Sequence, residues 1–157
     1  MRALFPFLML LGSLVASTTF AQTAEPIRIT ANTLNVQHNA GKATFTGNVR
    51  LVQGPLILTA NRLEARYNRG LETLTATGNV QFERGPANAE GSSETARGEN
   101  ATYTPATQTL TLTGPEVVLQ RGPSTLVGDK LVYNLATQMA QVTKQGGLVE
   151  ATFIPQN

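Results

Sequence analysis

The 157-residue sequence has no cysteine and no tryptophan, a single histidine, His38, and a single aspartate, Asp129. Without cysteine there is neither a disulfide framework nor a thiolate metal site. Charged residues make up only 14% of the chain. Lysine and arginine nowhere cluster, so the electrostatic footprint of a nucleic-acid binder is missing. Enzyme motifs are missing too: no GxSxG, no HExxH and no Gly-rich phosphate loop, and no local pair of acids of the kind glycoside hydrolysis needs. His38 falls in a predicted hairpin turn, where a lone histidine is solvated rather than catalytic. The nine glutamates lie at parities that mostly face water, with Glu90 and Glu94 placed in a polar loop. No catalytic residue, metal or cofactor is therefore expected, and the chain is read as one that binds rather than catalyses.

Long hydrophobic runs are also scarce, with one exception. Met1 and Arg2 precede an almost wholly apolar run from Ala3 to Ala16, and the small residues Thr19 and Ala21 then give the −3 and −1 pattern of a signal-peptidase site. The run is roughly 14 residues, short of the ~20 that a spanning helix needs. Residues 1–21 are read as a signal peptide cleaved after Ala21, and no cysteine follows that would carry a lipid. The predicted mature chain, residues 22–157, is one domain long enough to bury a core. Losing Arg2 leaves eleven basic residues against ten acidic ones, a charge of +1.

What the mature chain does have is alternation. In KATFTGNVRL, Ala43, Phe45, Val49 and Leu51 share one parity, while Lys42, Thr44, Thr46, Asn48 and Arg50 share the other. A period of two with one dry and one wet face predicts strands. Self-similarity finds four copies of one unit: ITANTLNV at 29–36, LTANRLEA at 58–65, ARGENATY at 96–103 and LVGDKLVY at 126–133, spaced by 29, 38 and 30 residues. Each has a small residue (Ala31, Ala60, Gly98, Gly128), a polar one (Asn32, Asn61, Glu99, Asp129) and, two further on, an apolar one (Leu34, Leu63, Ala101, Leu131). The apolar parity slips by one there, so Leu34 and Val36 are expected on the same dry face as Ile27 and Ile29 only if a bulge or bend adds a residue. The polar residue is expected to bond the local backbone freed by the bend.

A turn follows each corner (39–41, 68–70, 105–107, 136–138), and the chain then returns as a strand that in three copies carries glycine: Gly47, Gly78 and Gly114. Strand, corner, hairpin and strand at ~30 residues reads as stacked all-β repeat units. The polar stretch Gly85 to Ala96 lengthens the second spacing and is read as a surface loop. The dry face gathers Ile27, Ile29, Phe45, Val49, Leu51, Leu56, Leu58, Leu63, Ala65, Val80, Phe82, Tyr103, Leu110, Leu112, Leu131 and Tyr133. Such an aliphatic interior suits either a closed core or an acyl chain, and residue chemistry alone leaves both open.

Together the corner, the hairpin and the TFTGNV return strand resemble the LptA-type lipopolysaccharide-transport proteins and their OstA-domain relatives. The resemblance runs from Pro26 to Pro155. It is strongest in TFTGNVRLVQGPLILTANRL (44–63), GDKLVY (128–133) and VEATFIP (149–155). It implies a periplasmic protein with a twisted, slightly open β-jellyroll fold, whose apolar groove takes the lipid A acyl chains of lipopolysaccharide. It also implies association end to end by strand addition, with copies of itself, with an anchored LptC-like protein upstream and with an outer-membrane LptD-like translocon downstream. The first-strand pattern Pro26-Ile27-Arg28-Ile29 and the interior aromatic Phe82 carry over from the family. The remaining proposed acyl-chain positions, Phe45, Val49, Leu51, Leu56, Leu58, Leu63, Val80, Leu112, Leu131 and Tyr133, follow from parity. The third return strand, GPEVV, has an added residue and leaves the parity of Val117, Val118 and Leu119 open, and the Gly85 to Ala96 loop has no counterpart.

The alternative is a structural adaptor whose sheet edges bind envelope proteins while its core never opens. An outer-membrane barrel is disfavoured, because four corners interrupt the ~10-residue alternating segments that a barrel needs and the chain ends on Gln156 and Asn157 rather than an aromatic.

Overall fold

The computed structural model describes residues 25–85 and 93–154, and the expected signal peptide lies outside them. Ten strands follow one another: β1 (Arg28–Thr30), β2 (Thr33–Gln37), β3 (Lys42–Gln53), β4 (Leu56–Tyr67), β5 (Leu71–Arg84), β6 (Glu94–Thr104), β7 (Thr109–Arg121), β8 (Ser124–Asn134), β9 (Met139–Thr143) and β10 (Glu150–Thr152). All pairings are antiparallel. The sheet runs β1-β3-β4-β5-β6-β7-β8-β10, with β2 beside β3 and β9 beside β8. One edge is thus β1 and β2 in line, the other β9 and β10 in line, and the two do not pair with each other. The protein is an open all-β jellyroll.

The predicted corners divide every long strand in two. Burial in β4 falls on Leu56, Leu58 and Ala60, then skips the exposed pair Asn61 and Arg62 and resumes at Leu63 and Ala65. The first two return strands do not slip: β5, for example, buries Leu74, Ala76, Val80 and Phe82, all of one parity. Register explains the difference. Thr46 pairs with Arg62 and Val49 with Ala60, and Thr77 pairs with Asn100 and Val80 with Gly98. The extra residue therefore sits in the Gly-Asn pair of the return strand, not in the corner as the apolar parity alone suggested. Both pairs are left-handed, with φ of 80° and 47° at Gly47 and Asn48 and 79° and 48° at Gly78 and Asn79, a conformation open to glycine and tolerated by asparagine.

The corner polar residues also differ from expectation. The side chain of Asn32 accepts from Asn48 Nδ2 at 2.8 Å, and Asp129 accepts the backbone N–H of Gln145 at 2.7 Å. Asn32 bonds across to β3 and Asp129 to the turn that follows β9, rather than each to its own local backbone. Asn32 and Asn61 lie over the return-strand glycines, so that a Cβ at Gly47 or Gly78 would come within 2.9 Å of Asn32 Oδ1 or 2.7 Å of Asn61 Nδ2. Corner and return motif are thus two halves of one device.

In β7 the insertion is longer: Thr113 pairs with Lys130 and Val117 with Gly128. This places Val117 and Leu119 in the core cluster, while Val118, though buried, lies outside that cluster. The added residue in GPEVV switches the parity and so restores Val117 to the inner face.

Bending at the corners folds the sheet into two facing layers. One holds β1, β10 and the segments near Gln53, Leu56, Arg84, Glu94 and Arg121. The other holds β2, β9 and the segments that include Leu63, Leu74, Tyr103, Leu110 and Tyr133. Contacts between strands that are not neighbours establish the facing: the Phe82 and Tyr133 rings are 5.6 Å apart, and Tyr103 OH donates to Gln53 Oε1 at 3.0 Å.

Candidate functional site

All thirteen proposed acyl-chain positions converge on the space between the layers. Val49, Leu51, Leu56, Leu58, Leu63, Val80, Phe82, Leu112, Leu131 and Tyr133 are buried, and Ile27, Ile29 and Phe45 are half-buried against them. Strand alternation delivers each one, because every second residue of a strand points inward. Leu34 and Val36 do not join them. They are 53% and 43% exposed on β2, because an edge strand has a neighbour on only one side.

Around Tyr103 the interior is tightly packed. The cavity lined by Leu51, Leu58, Leu63, Leu74, Tyr103 and Leu110, among others, is about 10 Å³, at or below what one water requires. A concavity of about 290 Å³ lies instead on the outer side of the first layer, among Ile57, Thr59, Gln81, Glu83, Thr95 and Arg97. None of the outward-facing side chains there was predicted as a site.

Glu94 corrects the sequence reading most sharply. It opens β6 and is the one charged residue buried among those described, whereas the polar-loop reading placed it in water. It sits in register between Arg84 on β5 and Arg121 on β7. Arg121 Nε is 3.4 Å from Glu94 Oε1, Arg84 Nη1 donates to Tyr133 OH at 2.9 Å, and Tyr133 OH donates to Glu94 Oε2. The signal was present in the alternation of Glu94, Ala96 and Gly98, which share one parity ahead of the third corner. Burial pushes the Tyr103 phenol up from its ordinary range. Burial, followed by the hydrogen bond to Glu94, does the same at Tyr133. Both are neutral donors at any ordinary pH.

His38 lies exposed in a turn, as expected. Among the described residues no group of three or more His, Cys, Asp or Glu could hold a metal, and no helix is long and apolar enough to cross a membrane.

Residues 28–139 match the family described as LptA/(LptD N-terminal domain) LPS transport protein. An uncharacterised protein of Rhizobium meliloti (strain 1021) is 31% identical over 162 aligned positions, covering 93% of this chain and 87% of the relative. The fold superposes with a TM-score of 0.76 on the crystal structure of LptH from Pseudomonas aeruginosa, described as the LptA homologous periplasmic component of the conserved lipopolysaccharide transport device. That match is 22% identical and covers 83% of this chain and 96% of LptH. A two-layer jellyroll with two open edges, four corner repeats and a family match across most of its length place this chain in the LptA and LptD N-terminal domain family of lipopolysaccharide-transport proteins.

Proposed function

We propose that this chain is a periplasmic link in lipopolysaccharide transport, exported by its N-terminal signal peptide. It holds lipid A acyl chains between its two layers and passes them on without chemistry. The observation that carries this reading is the convergence of all the predicted apolar positions on one interior that ends in two unpaired sheet edges. Acyl chains are favoured there because every contact replaces water with aliphatic surface. The edges supply backbone groups for strand addition, by which the chain joins copies of itself, an LptC-like anchored protein and an LptD-like translocon. The energy for transport comes from an inner-membrane transporter.

Site-specific photo-crosslinking tests the reading. Probes at Ile29 and Phe82 are expected to capture lipopolysaccharide, while a probe at the exposed Arg50 captures none. Equal capture at all three positions defeats it. The tight interior favours a second reading, an adaptor whose edges bind envelope proteins while the core stays shut. Partner binding without lipid capture at Ile29 and Phe82 would select the adaptor.

A further inference from the structure

Tyr103 and Tyr133 occupy the same place, the eighth residue, in the third and fourth corner repeats. Each is next to the last residue of its strand, β6 or β8. Each sends its hydroxyl across the interior to the far end of the opposite layer: Tyr103 to Gln53, the last residue of β3, and Tyr133 to Glu94, the first residue of β6, while accepting from Arg84, the last residue of β5. The first two repeats have Val36 and Ala65 at this place and can make no such bond. The layers are hinged at the corners, so these bonds tie together the ends that lie farthest from the hinge.

We propose that Tyr103 and Tyr133 are clasps that hold the seam between the two layers shut, and that an acyl chain enters along this seam as the clasps release. The second half of the proposal rests on the acyl-chain reading above, and the first half does not. Three observations support it. The interior cavity beside Tyr103, about 10 Å³, has no room for a chain while the clasps are made. The tyrosine bonds join the layers at their free ends, whereas strand pairing holds each layer together from within. The Glu94 carboxylate is set between Arg84 and Arg121, so it keeps a cationic neighbour when the tyrosine leaves. This lowers the cost of opening relative to an isolated buried charge.

Tyr103→Phe and Tyr133→Phe keep the rings and remove only the bonds. Loss of a hydrogen bond to a charged group shifts a two-state equilibrium roughly tenfold, and a ligand that binds the open state tightens by the same factor. The fluorescent fatty acid cis-parinaric acid is therefore expected to bind the double variant about tenfold more tightly than wild type. A control, Tyr67→Phe, should bind like wild type. Gln53→Leu should reproduce Tyr103→Phe and add little to it. The absence of cysteine also permits spin labels at Glu83→Cys and Thr102→Cys, exposed on opposite layers. Their distance distribution should gain a longer population in the double variant. An unchanged distribution overturns the clasps whatever the probe does. A longer population without fatty-acid binding by any form upholds the clasps and overturns the acyl-chain reading. Equal binding by wild type and double variant overturns release of the clasps as the step that admits the chain.

Discussion

Tyr103 and Tyr133 carry phenols withdrawn from water, and this has a consequence that pH can expose. Their folded-state pKa values are raised above the ordinary 10.0. The stability they contribute is therefore complete below pH 10 and declines as pH rises through the higher folded values. Thermal melts between pH 8 and 11 should show a fall in Tm that starts near pH 10 and is reduced in the double Phe variant. An equal fall in both would show that these phenols are not its source. Phe82 is 1% exposed and packs against Tyr133 with the two rings tilted at 50°, so Phe82→Ala should cost about 3–5 kcal/mol in urea unfolding. Sequence alternation identified both aromatics as interior, because a strand's period of two needs no tertiary information. It did not identify Glu94. A carboxylate beside a polar stretch reads as solvated unless its hydrogen-bond donor is known, and Tyr133 is 39 residues away.

At the scale of the strand, the corner was legible and its partner was not. Parity shows that β4 breaks between Ala60 and Leu63, yet the residue that accommodates the break belongs to β3 and β5, and only register reveals it. Gly78 holds φ at 79° beneath Asn61, so Gly78→Ala meets both backbone strain and a collision and should destabilise by about 1–3 kcal/mol. Asn79→Gly, at φ 48°, keeps the left-handed backbone accessible and should stay within about 1 kcal/mol of wild type. Chemical denaturation of the two variants side by side checks the assignment. If Gly78→Ala proved as benign as Asn79→Gly, the pair would not be the point at which the sheet bends.

Considered as a whole, the molecule leaves its edges less protected than a soluble sheet usually does. Neither β2, with TLNVQ, nor β9, with MAQVT, carries a charge. Apolar side chains are exposed along both edges, among them Leu34 at 53% and Val36 at 43% at one and Met139 at 70% and Phe153 at 69% at the other. Natural sheets that must stay single usually protect such strands with lysine, proline or bulges. Lysine and proline are absent from β2 and β9, whereas β1 and β10 carry Arg28 and Glu150; the uncharged part of each edge fits one meant to be extended. The corners could be read from sequence, but whether the layers stand apart or together could not, because closure depends on pairs such as Gln53 with Tyr103 that are 50 residues apart. Leu34→Lys with Val36→Lys places two charges on an edge that is already solvent-exposed, so Tm should move by less than a few degrees. If the chain associates end to end as proposed above, sedimentation velocity should then show that association weakened at least tenfold, since two buried charges would face the incoming strand. Association undiminished in that variant would move the joint away from β2 and leave the β9 and β10 edge to account for it alone.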